Sequence, residues 1–164
     1  EEAGVESPAV RILYDDTNER RAQQFALISE QAEAAGFEIV DEGDVNWGSR
    51  SGDGTYDGFL FGWQSTSTGV TESDANFRTG QQNNYGGYSN ERVDELYDEL
   101  QTELDENRQL EILTEVEQIL VEDGFGATLF QHPELTISRD RVENVSTTTV
   151  SPTMFWNYWE WETN

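Results

Sequence analysis

His132 is the one histidine among 164 residues, and there is no cysteine. A Ser-His-Asp triad would have to run through His132, yet the sequence holds no G-x-S-x-G nucleophile elbow. His132 stands beside Pro133 in a stretch that reads as a turn, where a surface histidine is the ordinary expectation. Without cysteine, disulfides, thiolate zinc sites and Cys nucleophiles are excluded. A single histidine also leaves zinc short of ligands. Carboxylates number 34, and that abundance produces any acid/base spacing by chance, so it marks no pair. Gly52-Asp53-Gly54 and the acids between Asp41 and Asp44 faintly suggest calcium, but EF-hand spacing is missing. A P-loop needs lysine, and all 9 bases are arginine. The residue inventory thus points away from catalysis, and no cofactor or resident metal is expected. Asn144-Val145-Ser146 fits the N-glycosylation sequon, whose use would place the chain outside the cell.

Binding is the chemistry left. Trp63 closes the most apolar short run, Tyr56 to Trp63 (YDGFLFGW), and a long polar stretch rich in Ser, Thr, Asn and Gly follows from Gln64 to Tyr88. Long loops inside compact domains are usually functional or disordered. A loop leaving the end of a strand lies where α/β sheets place ligands. Trp63 either lines a pocket there or simply packs. Gln64, Ser65 and Thr66 offer hydrogen-bond donors and acceptors, and Asn83, Asn84 and Tyr85 offer more from the far end of the loop. Phe155, Trp156, Tyr158, Trp159 and Trp161 crowd the tail, where covering a sheet edge or a seam to another lobe is preferred over ligand stacking.

The elements that must position these residues read as follows. Val10 to Tyr14 is a short strand rich in β-branched and aromatic residues. Asp15 to Asn18 offers helix caps, and Ala22, Phe25, Ile28, Ala32 and Ala35 form a helical stripe. Gly36 suits the left-handed position that ends a helix, and Phe37 to Asp41 alternates as the next strand. Strand, helix and strand at this spacing make a βαβ unit with parallel strands. Residues 43–55 read as a loop, and Tyr56 to Trp63 as a central strand. Ser89 or Asn90 caps a helix with Val93, Leu96, Tyr97, Leu100 and Leu104 inward. Asp105 caps another with Leu110, Leu113, Val116 and Leu120 inward and Gly124 at its end. A break of one or two residues between them predicts an αα-hairpin. Ala127 to Gln131 and Leu135 to Ser138 read as strands around the His132-Pro133 turn.

The charge sets the environment. Thirty-four acids against 9 arginines give a formal charge of −25, dispersed along the chain rather than blocked. Five Trp, six Tyr and eight Phe are too many for a disordered acidic tail. A dispersed acidic shell repels itself at low ionic strength, whereas the Debye length falls to about 3 Å at 1 M salt. Arginine is also the weakly hydrated, bidentate partner for carboxylates. The composition therefore predicts a halophilic surface. Nucleic acid is not an expected partner, since binding it needs phosphate-neutralising bases. No apolar run approaches the roughly 20 residues of a membrane span, and no signal peptide is visible. The opening Glu1-Glu2-Ala3-Gly4, without Met, reads as a mature or excised piece.

Four stretches in register resemble the family 5 extracellular solute-binding proteins, the peptide-, nickel- and oligosaccharide-binding components of ABC importers. Tyr56-Asp57-Gly58-Phe59-Leu60-Phe61-Gly62-Trp63 resembles the family's "YD…GW" strand. Gly87-Tyr88-Ser89-Asn90-Glu91-Arg92-Val93-Asp94-Glu95-Leu96 is similar to its "GYSNPEVDEL" helix start. Asp105 to Arg108 with Ile119-Leu120-Val121-Glu122-Asp123 resembles "D…R…IL.ED", and Glu2-Ala3-Gly4 resembles the end of its "L.EAG" helix. The resemblance runs through nearly the whole chain. It implies an α/β fold, a periplasmic-binding-protein-like lobe with a mainly parallel sheet, a βαβ unit and packed helices. It implies that residues 1–164 are a single domain, the distal part of the C-terminal lobe of a two-lobe protein, with about 142–164 packing on the missing first lobe. It further implies a non-enzymatic role: capturing a small molecule or peptide between two lobes and delivering it to an ABC permease. The location implied is extracellular, at the cell surface, anchored through a missing N-terminal segment. In peptide binders of this family an Asp shortly after the "GW" pair often holds the peptide's amino terminus. Gln64 to Gly69 has no acid, which removes that charge-assisted bond. The rival expectation is a halophilic cell-surface interaction domain with an aromatic C-terminal interface.

Overall fold

The computed structural model describes residues 8–64, 69–133, 135–148 and 155–164. Contacts gather into two compact units, 1–63 and 64–164.

The first unit is a βαβ unit with a third strand beside it. β1 (Ala9–Tyr14), α1 (Glu19–Ala34) and β2 (Glu38–Gly43) follow one another, then a helical turn α2 (Trp47–Arg50) and β3 (Gly58–Phe59). Both pairings are parallel, and the strand order is β2-β1-β3. Ile12, Leu13 and Tyr14 are buried because β1 has a neighbour on either side. Asn18 caps α1 by accepting from the Arg21 amide at 3.2 Å. Gly36 ends it at φ +93°, as its position predicts. Tyr14 stacks on Phe25 at 4.9 Å, which seats the helix on the sheet. That ring also comes so close to Gly43 that a Cβ there would lie 2.8 Å from its Cζ, so the position requires glycine. The predicted helical stripe is only half-buried, and Ala35 lies exposed beyond the helix end.

The run from Tyr56 to Trp63 departs from expectation. It is not the central strand: only Gly58 and Phe59 pair, and β1 takes the centre. Its apolarity has another cause. Phe59, Phe61 and Trp63 alternate along the chain; Phe59 stacks on Phe61 at 4.9 Å, Phe61 meets Trp63 edge-on at 4.7 Å, and Trp47 lies 5.8 Å from both Phe59 and Phe61. Period two thus serves an aromatic ladder rather than burial on both faces of a sheet. Asp57 anchors its start through a bidentate pair with Arg11, at 2.9 Å to Nε and 2.8 Å to Nη2.

The second unit is built on an αα-hairpin. α3 (Asp74–Phe77) precedes α4 (Glu91–Leu100) and α5 (Glu106–Glu122). Asn90 and Asp105 cap the two long helices through side-chain oxygens that accept amide hydrogens. Val93, Leu96, Tyr97, Leu100, Ile112, Val116 and Leu120 form the core, with Phe77, Tyr88, Leu113 and Ile119 against it. Leu104 and Leu110 do not join: they are 90% and 65% exposed. The connection spans residues 101–105, longer than expected, and Leu104 sits in it. On α5 the stripe centres on Ile112, Val116 and Leu120, and Leu110 lies two residues, about 200°, away from Ile112.

Residues 127–131 and 135–138 are not strands, and Leu129, Phe130, Leu135 and Ile137 are exposed. A strand needs a ladder partner, and none of the described strands pairs with them. The unit closes with an antiparallel pair, β4 (Val142–Glu143) and β5 (Glu162–Thr163), with a 3-10 turn at Tyr158–Glu160 just ahead of β5.

Candidate ligand-binding site

The ladder's last ring is the first candidate. Each aromatic side chain from Trp47 to Phe61 is half-buried, whereas Trp63 is 43% exposed. It meets Phe61 edge-on, with an interplanar angle of 79°. It stands just beyond the carboxyl end of β3, on the side where β1 also ends. Order β2-β1-β3 makes the β1/β3 junction the switch point of a parallel sheet, where such sheets present ligands. Gln64 is exposed; Ser65 and Thr66 lie outside the described residues.

The 83–85 group belongs to the loop before α4. Asn84 is committed to that loop: its Nδ2 donates to the carbonyls of Arg78 (3.0 Å) and Tyr88 (2.7 Å), and its Oδ1 accepts from the Tyr88 amide at 2.9 Å. The Asn83 amide donates to the Ala75 carbonyl at 3.2 Å, and Tyr85 is 38% exposed. Tyr88 joins loop to hairpin, donating to Asp123 at 2.6 Å; burial, then that bond, pushes its hydroxyl up to about 12. Asn84 and Tyr88 therefore act as braces that present Asn83 and Tyr85.

One residue near Trp63 escaped the reading of the sequence. Arg21, in the first turn of α1, lies under the ladder, its Cζ 5.0 Å from the centre of the Trp47 ring and 5.8 Å from that of Phe61. Its Nη1 is buried without a hydrogen-bond partner. Burial lowers its pKa, an effect the charge of Asp15 partly offsets. Asp15 itself is held by Thr17, whose hydroxyl donates at 2.6 Å and amide at 3.0 Å. A local clue existed: a cation in the first turn opposes the helix dipole.

Elsewhere, a hollow of about 580 Å³ is lined by Asn144, Val145, Ser146, Asn157, Glu160 and Glu162. Asn144 adopts φ +60°, and its amide donates to the Glu160 carbonyl at 3.1 Å. Asn157, nearly buried, receives the Ser146 amide and the Trp161 indole N–H, each at 3.0 Å. Phe155, Trp156, Tyr158 and Trp159 are exposed. His132 is exposed, with its ring 6.5 Å from Phe130. Among the described residues no group of His, Asp and Glu could hold a metal, and no helix is long and apolar enough to cross a membrane.

The fold is that of a periplasmic-binding-protein-like lobe, and solved structures share it. The oligopeptide-binding protein AppA from Bacillus subtilis, in complex with a nonapeptide, superposes with TM-score 0.70 at 16% identity, over 95% of this chain and 32% of that one. NikZ from Campylobacter jejuni, in complex with Ni(L-His), gives 0.68 at 14% identity, over 94% and 33%. The ABC transporter substrate-binding protein CtaP from Listeria monocytogenes gives 0.62 at 16% identity, over 70% and 24%. The chain therefore spans a third or less of the length of these structures. They are binding proteins rather than enzymes. No protein-family model matches the sequence, and no curated protein matches it.

Proposed function

We propose that this chain is the distal part of the C-terminal lobe of an extracellular substrate-binding protein that serves an ABC importer. The observation that carries the reading is Trp63: an exposed ring at the end of a braced aromatic ladder, at the switch point of a parallel sheet. In this reading Trp63 gives the ligand an apolar face, and Gln64, Ser65 and Thr66, next along the chain, orient its polar groups. The ligand is a peptide or similar small molecule, closed between this lobe and a first lobe supplied by the rest of the chain. Closure is driven by contacts that favour the closed state, and the closed form docks on the permease. Residues from about 142 onward, with their exposed aromatic side chains, pack on the first lobe, and the protein is anchored at the cell surface. The acidic surface fits it to concentrated salt. In the test, the protein at its native length is purified in concentrated KCl and its co-purifying small molecules are identified by native mass spectrometry. A stoichiometric ligand displaced by Trp63→Ala supports the reading; a ligand whose retention ignores that substitution counts against it.

A second reading rests on the same tail. Four exposed aromatic side chains between Phe155 and Trp159 suit a cell-surface interaction domain that pairs through them. A stoichiometric homo-oligomer in high-salt size exclusion, lost on Trp156→Ser with Trp159→Ser, would favour it over the importer.

A further inference from the structure

Arginine is scarce here and is mostly spent on acids. Arg11, Arg50, Arg78, Arg92 and Arg108 each hold one or more carboxylates within 4.0 Å. Arg20, Arg139 and Arg141 are exposed and have water. Arg21 belongs to neither group. Among the described residues its guanidinium makes no ion pair, and its Nη1 is buried with no acceptor. The rings of Trp47 and Phe61 answer its charge, but a ring face is a weak hydrogen-bond acceptor. Nε and Nη2 are not among the fully shielded, unbonded atoms, and the residue as a whole is half-buried. The group is also placed against local preference, at the positive end of a 16-residue helix. Features that break local rules without a compensating contact tend to be functional.

We infer that Arg21 is an oxyanion-binding group, and that the ligand presents a carboxylate to its open edge while its body lies on the Phe61–Trp63 end of the ladder. This rests on the importer reading for its biological setting but not for its chemistry. A planar fork held against two rings is pre-organised for a bidentate carboxylate. Asp15 lies near enough for its charge to act on Arg21, but its Oδ1 is engaged by Thr17 and it forms no ion pair with the guanidinium among the described residues. The absence of an acid in the sequence after Trp63 removes a rival for the same cation. The carboxylate comes either from a free organic acid or from a peptide C-terminus.

The chain is titrated by NMR in about 2 M KCl, where surface charges are screened. Acetate replaces chloride at constant ionic strength, and acetamide serves as the neutral control. The expected result is a saturable shift of the Arg21 Nε–Hε signal and of the Trp47 and Trp63 indole signals with acetate alone. Arg21→Gln abolishes the indole shifts, and Arg21→Lys weakens binding about tenfold, the loss of one charge-assisted bond. No saturation, or an equal response to acetamide, overturns the inference, and this comparison needs only the wild-type chain should the variants not fold. Trialanine and its C-terminal amide separate the sources: tighter binding of the free peptide than of acetate assigns a peptide terminus, and equal binding assigns a free acid. A native-length protein that retains a ligand equally well with Arg21→Gln would leave the importer reading standing and remove this one.

Discussion

Single residues here divide into those that hold a loop in place and those that stand exposed. Asn84 is of the first kind. Its three hydrogen bonds close the loop ahead of α4, so Asn84→Ala should destabilise the second unit by about 2–3 kcal/mol, read from chemical unfolding in concentrated KCl. Trp63 is of the second kind. It is 43% exposed and meets Phe61 edge-on among its contacts, so on the importer reading Trp63→Ala should impair ligand retention while costing only about 1 kcal/mol of stability. Asp57 gives a pH effect. The Arg11 side chain, through its hydrogen bonds, holds the Asp57 carboxyl well below the usual range. A depressed carboxyl stabilises the fold above its unfolded pKa and ceases to as pH falls. Acid unfolding should therefore draw on this pair below about pH 4, and Asp57→Asn should flatten that part of the stability profile.

At the scale of elements, the αα-hairpin is the part whose energetics can be stated most sharply. Leu96 is fully buried between α4 and α5, and Leu96→Ala should cost about 3 kcal/mol. Leu104, which the helical spacing assigned to the same face, is 90% exposed. Leu104→Ala should therefore change stability by no more than about 0.5 kcal/mol. Paired unfolding curves of the two variants would check both statements. The first unit is seated more lightly: α1 has no fully buried side chain and depends on Phe25 against Tyr14. Caps were read well, since Asn90 and Asp105 act through their own side chains and the next few residues. Strand pairing was read poorly at Tyr56 to Trp63 and at residues 127–138, because a strand exists only if another strand lies beside it.

For the whole molecule, charge dominates. A formal −25 on 164 residues repels itself wherever the Debye length exceeds the spacing of the acids. Five arginines soften this locally; Arg50 alone reaches Glu42, Asp44 and Asp53. Melting temperature should accordingly rise with KCl, and the chain should lose its fold in dilute buffer. Equal stability at both salt concentrations would sink the halophile reading. The chain spans a third or less of the binding proteins it resembles. On the importer reading a first lobe supplies the rest of the cleft, so this chain by itself should bind ligand far more weakly than a protein that includes that lobe, as isothermal titration would show.

Composition and local spacing by themselves determined the absence of thiol chemistry, the acidic surface, the βαβ start, the helix caps and the αα-hairpin. Each depends on residue type or on neighbours within a few positions, so a linear reading reaches it. Trp63 could be singled out in the same way, from its place between an apolar run and a polar loop. Only tertiary structure decided that β1 is the central strand, that the aromatic side chains from Trp47 to Trp63 form a ladder, and that Asn84 is a brace. It also decided that Arg21, unremarked in the sequence, lies beneath those rings with a donor unanswered. Those facts depend on partners as far apart in the chain as Ile12 and Gly58, and a contact at that distance is set by packing, which no local pattern encodes.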